Sequence, residues 1–530
     1  MNKNLVITTV SVAAVLTLIV LLHKEETYNV HLEKLKQEYA IKPTPSVDHS
    51  KLALLRQDFE TPQDVTRACI FCHTERHKEI MGSSHWNWER TGYIEGRGLA
   101  TIGKKNIINN FCIGAGANEQ ACAKCHIGFG MTNDRFDFSN AANVDCMVCH
   151  DNSEEYLKGS SMAGYPDRSV NLRNVALSVG SPRKSNCGAC HFYGGGGNNV
   201  KHGDLEESLL ACDREVDVHM AANGMDMSCV TCHSAENHVM KGRLYSVSAD
   251  NKNRAFCEDC HTDSPHLDNL LNRHTRVACQ TCHIPHYAKV NATKMEWKWS
   301  EAGRLEHGKP YSIENEDGKH IYLSTKGEFL WEKNVIPDYI WFNGTADHYL
   351  LGDTVGDFPV VINPLNGSYD DKRSQIIPVK VHRGDQIYDR QTRMLVQPKL
   401  FGTQKGDSAF WQDFDWALAS EAGMNRVGLP FSGDYKFVET EMYWPVNHMV
   451  SPKDKSLDCA HCHVREGGRL AGLGGFYLPG RDRNSTVDMV GKLILYLSII
   501  AVLIHTIIRI VVLVRERKSV VAQDDSERSP

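Results

Sequence analysis

Val144-Asp145-Cys146-Met147-Val148-Cys149-His150-Asp151 carries at its centre the pattern on which the fold turns: two cysteines three positions apart, with a histidine directly after the second. Thiols at that spacing reach the two vinyl groups on one edge of a haem. The adjacent histidine then lies under the iron as an axial ligand. The pattern recurs at Cys69-Cys72-His73, Cys122-Cys125-His126, Cys187-Cys190-His191, Cys229-Cys232-His233, Cys257-Cys260-His261, Cys279-Cys282-His283 and Cys459-Cys462-His463. One copy would suit a zinc site or a thioredoxin-like pair. Eight copies, each with its histidine, point to eight covalently bound haems c. Of the 18 cysteines, only Cys112 and Cys212 fall outside the motifs.

Seven motifs lie between Cys69 and His283 at irregular intervals, so the chain is not a simple repeat array. Roughly 30 residues per haem is too few to build separate hydrophobic cores, so the porphyrins must themselves be the core. The expected fold is therefore mainly α with extensive irregular structure, a multihaem cytochrome c fold packed around its haems. Residues 61–288 form the heptahaem region, and 28–60 read as a polar stalk broken at Lys42-Pro43-Thr44-Pro45. Residues 289–445 lack a motif but hold Trp297, Trp299, Trp331, Trp341, Trp411, Trp416 and Trp444, with strand-like stretches such as Ile376 to Val381. They read as a wrapping region with some β structure. Residues 446–484 bring the eighth haem, and Gly467-Gly468 mark a loop leaving it.

Both ends are apolar. Leu5 to Leu22 is an apolar run of 18 residues after Lys3 and has no A-x-A site where it closes. Residues 1–27 are accordingly read as an uncleaved signal anchor in preference to a cleaved signal peptide. The segment 485–516 is read as a transmembrane helix, with Met489 to Val514 long enough to span a bilayer. Arg515, Arg517 and Lys518 then place the 517–530 tail in the cytoplasm. Both ends put the haem region on the periplasmic face of a bacterial inner membrane. Inside the second span, Arg509 is read as snorkelling to the surface. His505 is either a packed neutral histidine or a ligand to a haem b shared with a partner subunit.

The formal charge is -6 before any haem propionates are counted. That argues against nucleic acid as a partner and means an anionic substrate needs a local basic pocket. Haems that only pass electrons need a second axial ligand from elsewhere. The candidates are His49, His85, His202, His219, His238, His274 and His448, with His266 and His286 also in suitable settings. His461, inside the eighth motif, is less well placed.

The stretches Asp48-His49-Ser50-Lys51, Asn109-Asn110-Phe111-Cys112-Ile113, Phe136-Asp137-Phe138, Lys201-His202-Gly203-Asp204-Leu205, Asp217-Val218-His219-Met220 and Cys279 to Pro285 carry a more specific likeness, as does the block quoted first. Through them the chain resembles the octahaem tetrathionate reductase family over roughly half its length. The resemblance implies that the second haem in sequence, on Cys122 and Cys125 with His126 in its motif, is the active-site haem and has lysine coordination. The matching lysine is Lys158, which would have to be neutral to ligate; Lys124, within the motif, is poorly placed for its own iron. Cys112 would line the same pocket, or be a buried free thiol, or pair with Cys212. Asp151 would shuttle protons or hold His150. The implied activity is respiratory reduction of a small inorganic sulfur or nitrogen oxyanion, tetrathionate first, with nitrite or hydroxylamine as alternatives. The usual nitrite reductase motif, C-x-x-C-K, is absent from the sequence. The implied partner is a quinol-oxidising or cytochrome b-type membrane subunit, and a homo-oligomer is compatible with the sequence. The competing reading is a non-enzymatic conduit between such a subunit and a periplasmic acceptor.

A pyridine haemochrome assay against protein concentration is expected to return eight haems per chain. An intact mass showing any motif unmodified would contradict the count.

Overall fold

A computed structural model describes residues 29–40, 47–111 and 114–526. The N-terminal apolar run, the Lys42-Pro43-Thr44-Pro45 break and Cys112 lie outside them. The chain divides into two compact units, one ending at Leu457 and one beginning at Asp458.

Each motif in the first unit sits on one short helical turn. The helices Pro62–Cys72, Glu119–Cys122, Met147–His150, Lys184–His191, Cys229–Cys232 and Cys279–His283 carry six of them, and the 3-10 turn Cys257–Asp259 carries the sixth in sequence. A helical turn is what the spacing requires, because residues three apart share one face. The first of these helices is well started: Pro62 occupies its first turn, and Thr61 and Asp64 form a capping box. The others run as few as four residues and gain little from helix propensity.

The expectation of a mainly α fold does not describe the rest. Two small ribbons come first, β1 (Arg90–Ile94) with β2 (Gly98–Ile102), and β3 (Ala235–Glu236) with β4 (Val239–Met240). The residues between 293 and 445 then form a nine-stranded sheet. Its strands are β5 (Thr293–Lys298), β6 (Ser312–Glu314), β7 (His320–Leu323), β8 (Gly327–Glu332), β9 (Asp338–Phe342), β10 (Val360–Val361), β11 (Gln375–Asp389), β12 (Met394–Leu395) and β13 (Tyr435–Pro445). The order is β10-β13-β11-β5-β8-β7-β6, with β9 and β12 also pairing to β11. β11 and β13 run antiparallel from Val379 opposite Pro445 to Asp389 opposite Tyr435. β13 alternates, burying Val438, Thr440, Met442 and Trp444 and turning the residues between them outward. β11 is buried on both faces over most of its length, as a central strand should be. The tryptophans singled out in the sequence mark this core: Trp297, Trp299 and Trp444 are almost fully buried with Phe111, Phe410 and Met442.

The residues read as a stalk do not stand apart. Val30–Ala40 is a helix whose His31 Nε2 meets the Cys260 carbonyl at 3.2 Å and whose Tyr39 hydroxyl meets Cys260 Sγ at 3.2 Å. Leu55 is buried against Val65 and Ala68 of the first motif helix.

The second unit holds the helix Cys459–Cys462, which carries the eighth motif, and a 42-residue helix, Ser485–Ser526. The stretch Ser485–Arg517 is long and apolar enough to cross a membrane. Between them, Arg481 organises the loop by donating to the carbonyls of Leu470, Leu473 and Phe476 while pairing with Asp482.

Trp299 donates its indole N–H to the Asn110 carbonyl at 3.3 Å from within the sheet core. Trp299→Ala is expected to cost about 3–5 kcal/mol. Thermal unfolding followed by far-UV circular dichroism should show it, with the half-buried Trp331→Ala costing less.

Candidate haem ligation sites and active centre

Two imidazoles bound to opposite faces of one iron have ring centroids about 6 Å apart, given metal–nitrogen bonds of about 2 Å. Six motif histidines of the first unit meet a second histidine at that separation. The pairs are His73 with His49 at 6.2 Å, His150 with His238 at 6.4 Å, His191 with His85 at 6.2 Å, His233 with His448 at 6.1 Å, His261 with His219 at 6.1 Å and His283 with His266 at 6.1 Å. Nothing else in a protein asks for six such pairs, each beside a pair of cysteines, so these residues fit haem.

The outer ring nitrogens are also dressed for the task. A ligating histidine binds metal through one nitrogen while the other is held by an acceptor. Nδ1 of His150 is held by the Gly180 carbonyl at 2.8 Å and Nδ1 of His233 by the Lys241 carbonyl at 2.9 Å. Asn272 Oδ1 takes His266 Nδ1 at 3.1 Å, and Glu79 Oε2 takes His238 Nδ1 at 2.9 Å. In the second unit, His463 Nδ1 meets the Pro479 carbonyl at 2.9 Å. His274 likewise turns Nδ1 to a carbonyl, that of Leu270, at 3.2 Å.

His202 departs from the expectation. Its ring packs edge-on against Trp444 at 5.0 Å and faces no motif histidine among the described residues. Burial holds its imidazole well below its usual range, so it is neutral. The reason is the loop around it: Lys380 of β11 donates to the carbonyls of Val200 and Lys201 at 3.0 and 3.1 Å and draws this loop onto the sheet.

The motifs themselves touch. The side chains of Cys69 and Cys146 lie close together, as do Cys125 with Cys190, Cys187 with Cys229, and Cys257 with Cys279. Cys149 acts electrostatically on Cys187, and Cys260 on Cys232. The seven motifs of this unit therefore form one connected set.

His126 is the exception: among the described residues its ring meets no second histidine. Its ring is fully buried in an aromatic box of Trp86 at 5.4 Å, Trp88 at 5.1 Å, Phe136 at 5.2 Å and Phe138 at 6.1 Å. Its Nε2 donates to the Trp86 carbonyl at 2.6 Å, and Nδ1 is the nitrogen left buried without a hydrogen bond. That is the reverse of His150 and His233. Burial takes the imidazole down to about 3, the Trp86 carbonyl works against this, and Lys158, Lys104 and Lys105 add to it. The ring is neutral, and its carbonyl partner fixes Nε2 as the protonated nitrogen. Gly128 makes the box: a Cβ there would fall 2.8 Å from the His126 ring and 2.9 Å from Trp86.

Lys158 lies beside this histidine. It is 5% exposed, and its Nζ donates to the His126 carbonyl and pairs with Asp145 at 3.1 Å. Asp145 is itself held by the Val148 amide at 3.1 Å and the Tyr156 hydroxyl at 2.7 Å. Burial, with the Asp145 carboxylate next, pushes the Tyr156 phenol well up, so it remains a donor. Asp151, the acid singled out from sequence, does other work. Its carboxylate accepts from the amides of Ser153 and Tyr156 and from the Ser178 hydroxyl, which folds the loop leading to Lys158. It does not hold the His150 ring. Cys212 is a free thiol buried among Phe192, Leu209 and Met220.

The field at the second motif is positive. Lys104, Lys201 and Lys158 all act electrostatically on Cys125. Lys104 lies over Trp88 at 5.0 Å and Lys201 over Trp444 at 5.1 Å. The resemblance had pointed to Lys158. Sequence reasoning missed Asp145, Tyr156, Trp86, Lys104 and Lys201. Only Asp145 left a signal, as an acid directly before a motif.

Motif cysteines beside opposed imidazoles define a multihaem c-type cytochrome. A family model described as bacterial cytochrome c matches residues 294–466. An uncharacterised protein of Archaeoglobus fulgidus is 24% identical, over 36% of this chain and 80% of its own length. The crystal structure of octahaem cytochrome c from Shewanella oneidensis is 40% identical, with a TM-score of 0.75 over 81% of this chain and 97% of that one. The chain belongs to the octahaem cytochrome c family.

His85→Ala is expected to convert one low-spin haem signal in electron paramagnetic resonance to a high-spin one. His202→Ala should leave the number of low-spin haems unchanged.

Proposed function

We propose that the chain is a respiratory reductase of a small inorganic sulfur or nitrogen oxyanion, tetrathionate first, working at the haem on Cys122 and Cys125. The observation that carries this reading is the pairing of an inverted His126 with the buried Lys158. A haem that only relays electrons is served by two histidines, as at the six opposed pairs. At the second motif the histidine is occupied elsewhere and a primary amine stands beside it. Lys158 would then be the protein residue that holds the haem iron at this motif. The haem bound there supplies electrons to the substrate.

The chain's own residues supply the rest. Asp145 Oδ2 holds Lys158 Nζ in place at 3.1 Å. Tyr156 fixes Asp145 in turn. Lys104 and Lys201 provide the basic pocket that an overall acidic protein needs for an anion. Two electrons divide tetrathionate at its central S–S bond into two thiosulfates, with no proton consumed. Nitrite and hydroxylamine remain secondary candidates because they too are small and polar. The electrons would come from a quinol-oxidising or cytochrome b-type membrane partner beside the Ser485–Arg517 helix. That helix also supports the second reading, a tethered conduit without substrate chemistry.

Lys158→Ala is expected to lower tetrathionate turnover by about 10²-fold or more while haem loading is kept. It should also change the spectrum of one haem only. Lys104→Ala and Lys201→Ala should raise KM more than they lower kcat. If no haem in the unaltered protein binds cyanide or nitrite, the conduit reading replaces this one.

A further inference from the structure

The fifth motif differs from its neighbours in what stands behind its distal ligand. His448, opposed to His233 at 6.1 Å, turns Nδ1 to Asp204 Oδ2 at 3.1 Å. The same oxygen accepts the backbone amides of Asn447 at 2.8 Å and His448 at 3.0 Å, so its position is fixed from the ligand's own loop. Asp204 is 2% exposed. Among the described residues its one ion-pair partner is His448. Lys380 is nearby, but its Nζ is spent on the carbonyls of Val200 and Lys201 and on the Thr293 hydroxyl.

The other ligands are backed more weakly. His150 and His233 donate to neutral carbonyls, and His266 donates to a neutral amide oxygen. His238 does meet a carboxylate, Glu79, but that group also pairs with Arg76 at 2.8 Å and its side chain is 20% exposed. Asp217 lies 3.8 Å from His219 Nδ1, too far for a hydrogen bond.

We infer that Asp204 acts through His448 to make the haem on Cys229 and Cys232 the low-potential member among the bis-histidine haems of the first unit. A buried carboxylate that accepts Nδ1–H draws that proton away and leaves the imidazole richer in electrons. The ferric iron carries one more positive charge than the ferrous, so a stronger donor and a nearby buried anion both favour the ferric state. In a buried setting the effect is little screened. Asp204 is a positioning and tuning residue and touches no substrate.

The place of this haem gives the tuning a consequence. Cys229 touches Cys187 of the fourth motif, and Cys232 is acted on by Cys260 of the sixth. The fifth motif is thus the link between the group formed by the first four motifs and the group formed by the sixth and seventh. A link that is filled last and emptied first passes electrons without storing them.

The test is spectropotentiometry of the fully loaded protein, with haem content checked by haemochrome assay. In the unaltered protein, one bis-histidine haem should show the strong-field, imidazolate-like resonance signature and should be reduced late in the titration. Asp204→Asn should move one haem's midpoint upward and weaken that signature, whereas Asp204→Glu, which keeps the charge, should move it little. Glu79→Gln should give a smaller shift. The inference is overturned if no imidazolate-like haem is present, or if the one present is reduced early. It is equally overturned if Asn and Glu at 204 shift the potentials alike, or if Glu79→Gln produces the larger shift. The wild-type titration decides the matter even where a variant loses its haem.

Discussion

An iron between two imidazoles demands that two histidines face each other at about 6 Å, and the first unit is arranged to meet that demand six times over. The motif histidine is local, because it follows its cysteines in sequence. Its partner is not. His73 finds His49 just upstream, but His233 finds His448 from the far end of the sheet region. The pairs are therefore ties of very different reach, and together they supplement the hydrophobic core that so short a stretch per haem cannot supply. This explains why helices of four residues persist: they are held from the side by ligand pairs and by neighbouring motifs.

The sheet is the frame that sets those ties in place. Asn110 shows how. Its side chain accepts from Gln386 and Thr440 and donates to the His382 carbonyl, while its own carbonyl takes the Trp299 indole. Four sheet contacts thus hold one residue of the segment that leads to the second motif. Further along, Asn118 joins the same segment to the 398–401 stretch through Pro398, Leu400 and Phe401. β11 adds Lys380, whose amine is wholly buried and pins the loop that bears Lys201. What looks in sequence like a haem-free insertion is the part that fixes where the lysines of the second motif stand.

The legible parts of this protein were those encoded over a few residues. The cysteine pairs and their histidines need no tertiary information, and neither does the apolar run near the C-terminus. Tryptophan spacing and strand-like runs hinted at β structure between 289 and 445, but not at a nine-stranded sheet, because β5, β11 and β13 pair with strands far away in sequence, as Glu296 with Arg383 and Val379 with Pro445. Distal ligands show the limit more clearly. His202 sits in a stretch as suggestive as that of His219, yet only His219 faces a motif histidine. The difference is made by Lys380, far away in sequence. Asp151 drew attention because it follows a motif. Its neighbour Asp145 carries the ion pair with Lys158 because the chain doubles back there, and no local pattern shows a reversal of that kind.

The second motif breaks the rule that the other six obey, and it takes deliberate construction to do so. Turning His126 away requires an acceptor for Nε2, which Trp86 provides through its carbonyl. It also requires an aromatic lining and a glycine at 128, where any side chain would strike the ring. Among the described residues, the Nδ1 of His126 has no hydrogen-bond partner. A bis-histidine relay needs none of this, since an unmodified motif and one more histidine would serve. Around this one attachment point gather a lysine, a buried acid and two further cations. An arrangement of that kind suits a haem with a face open to an anion far better than it suits another segment of wire.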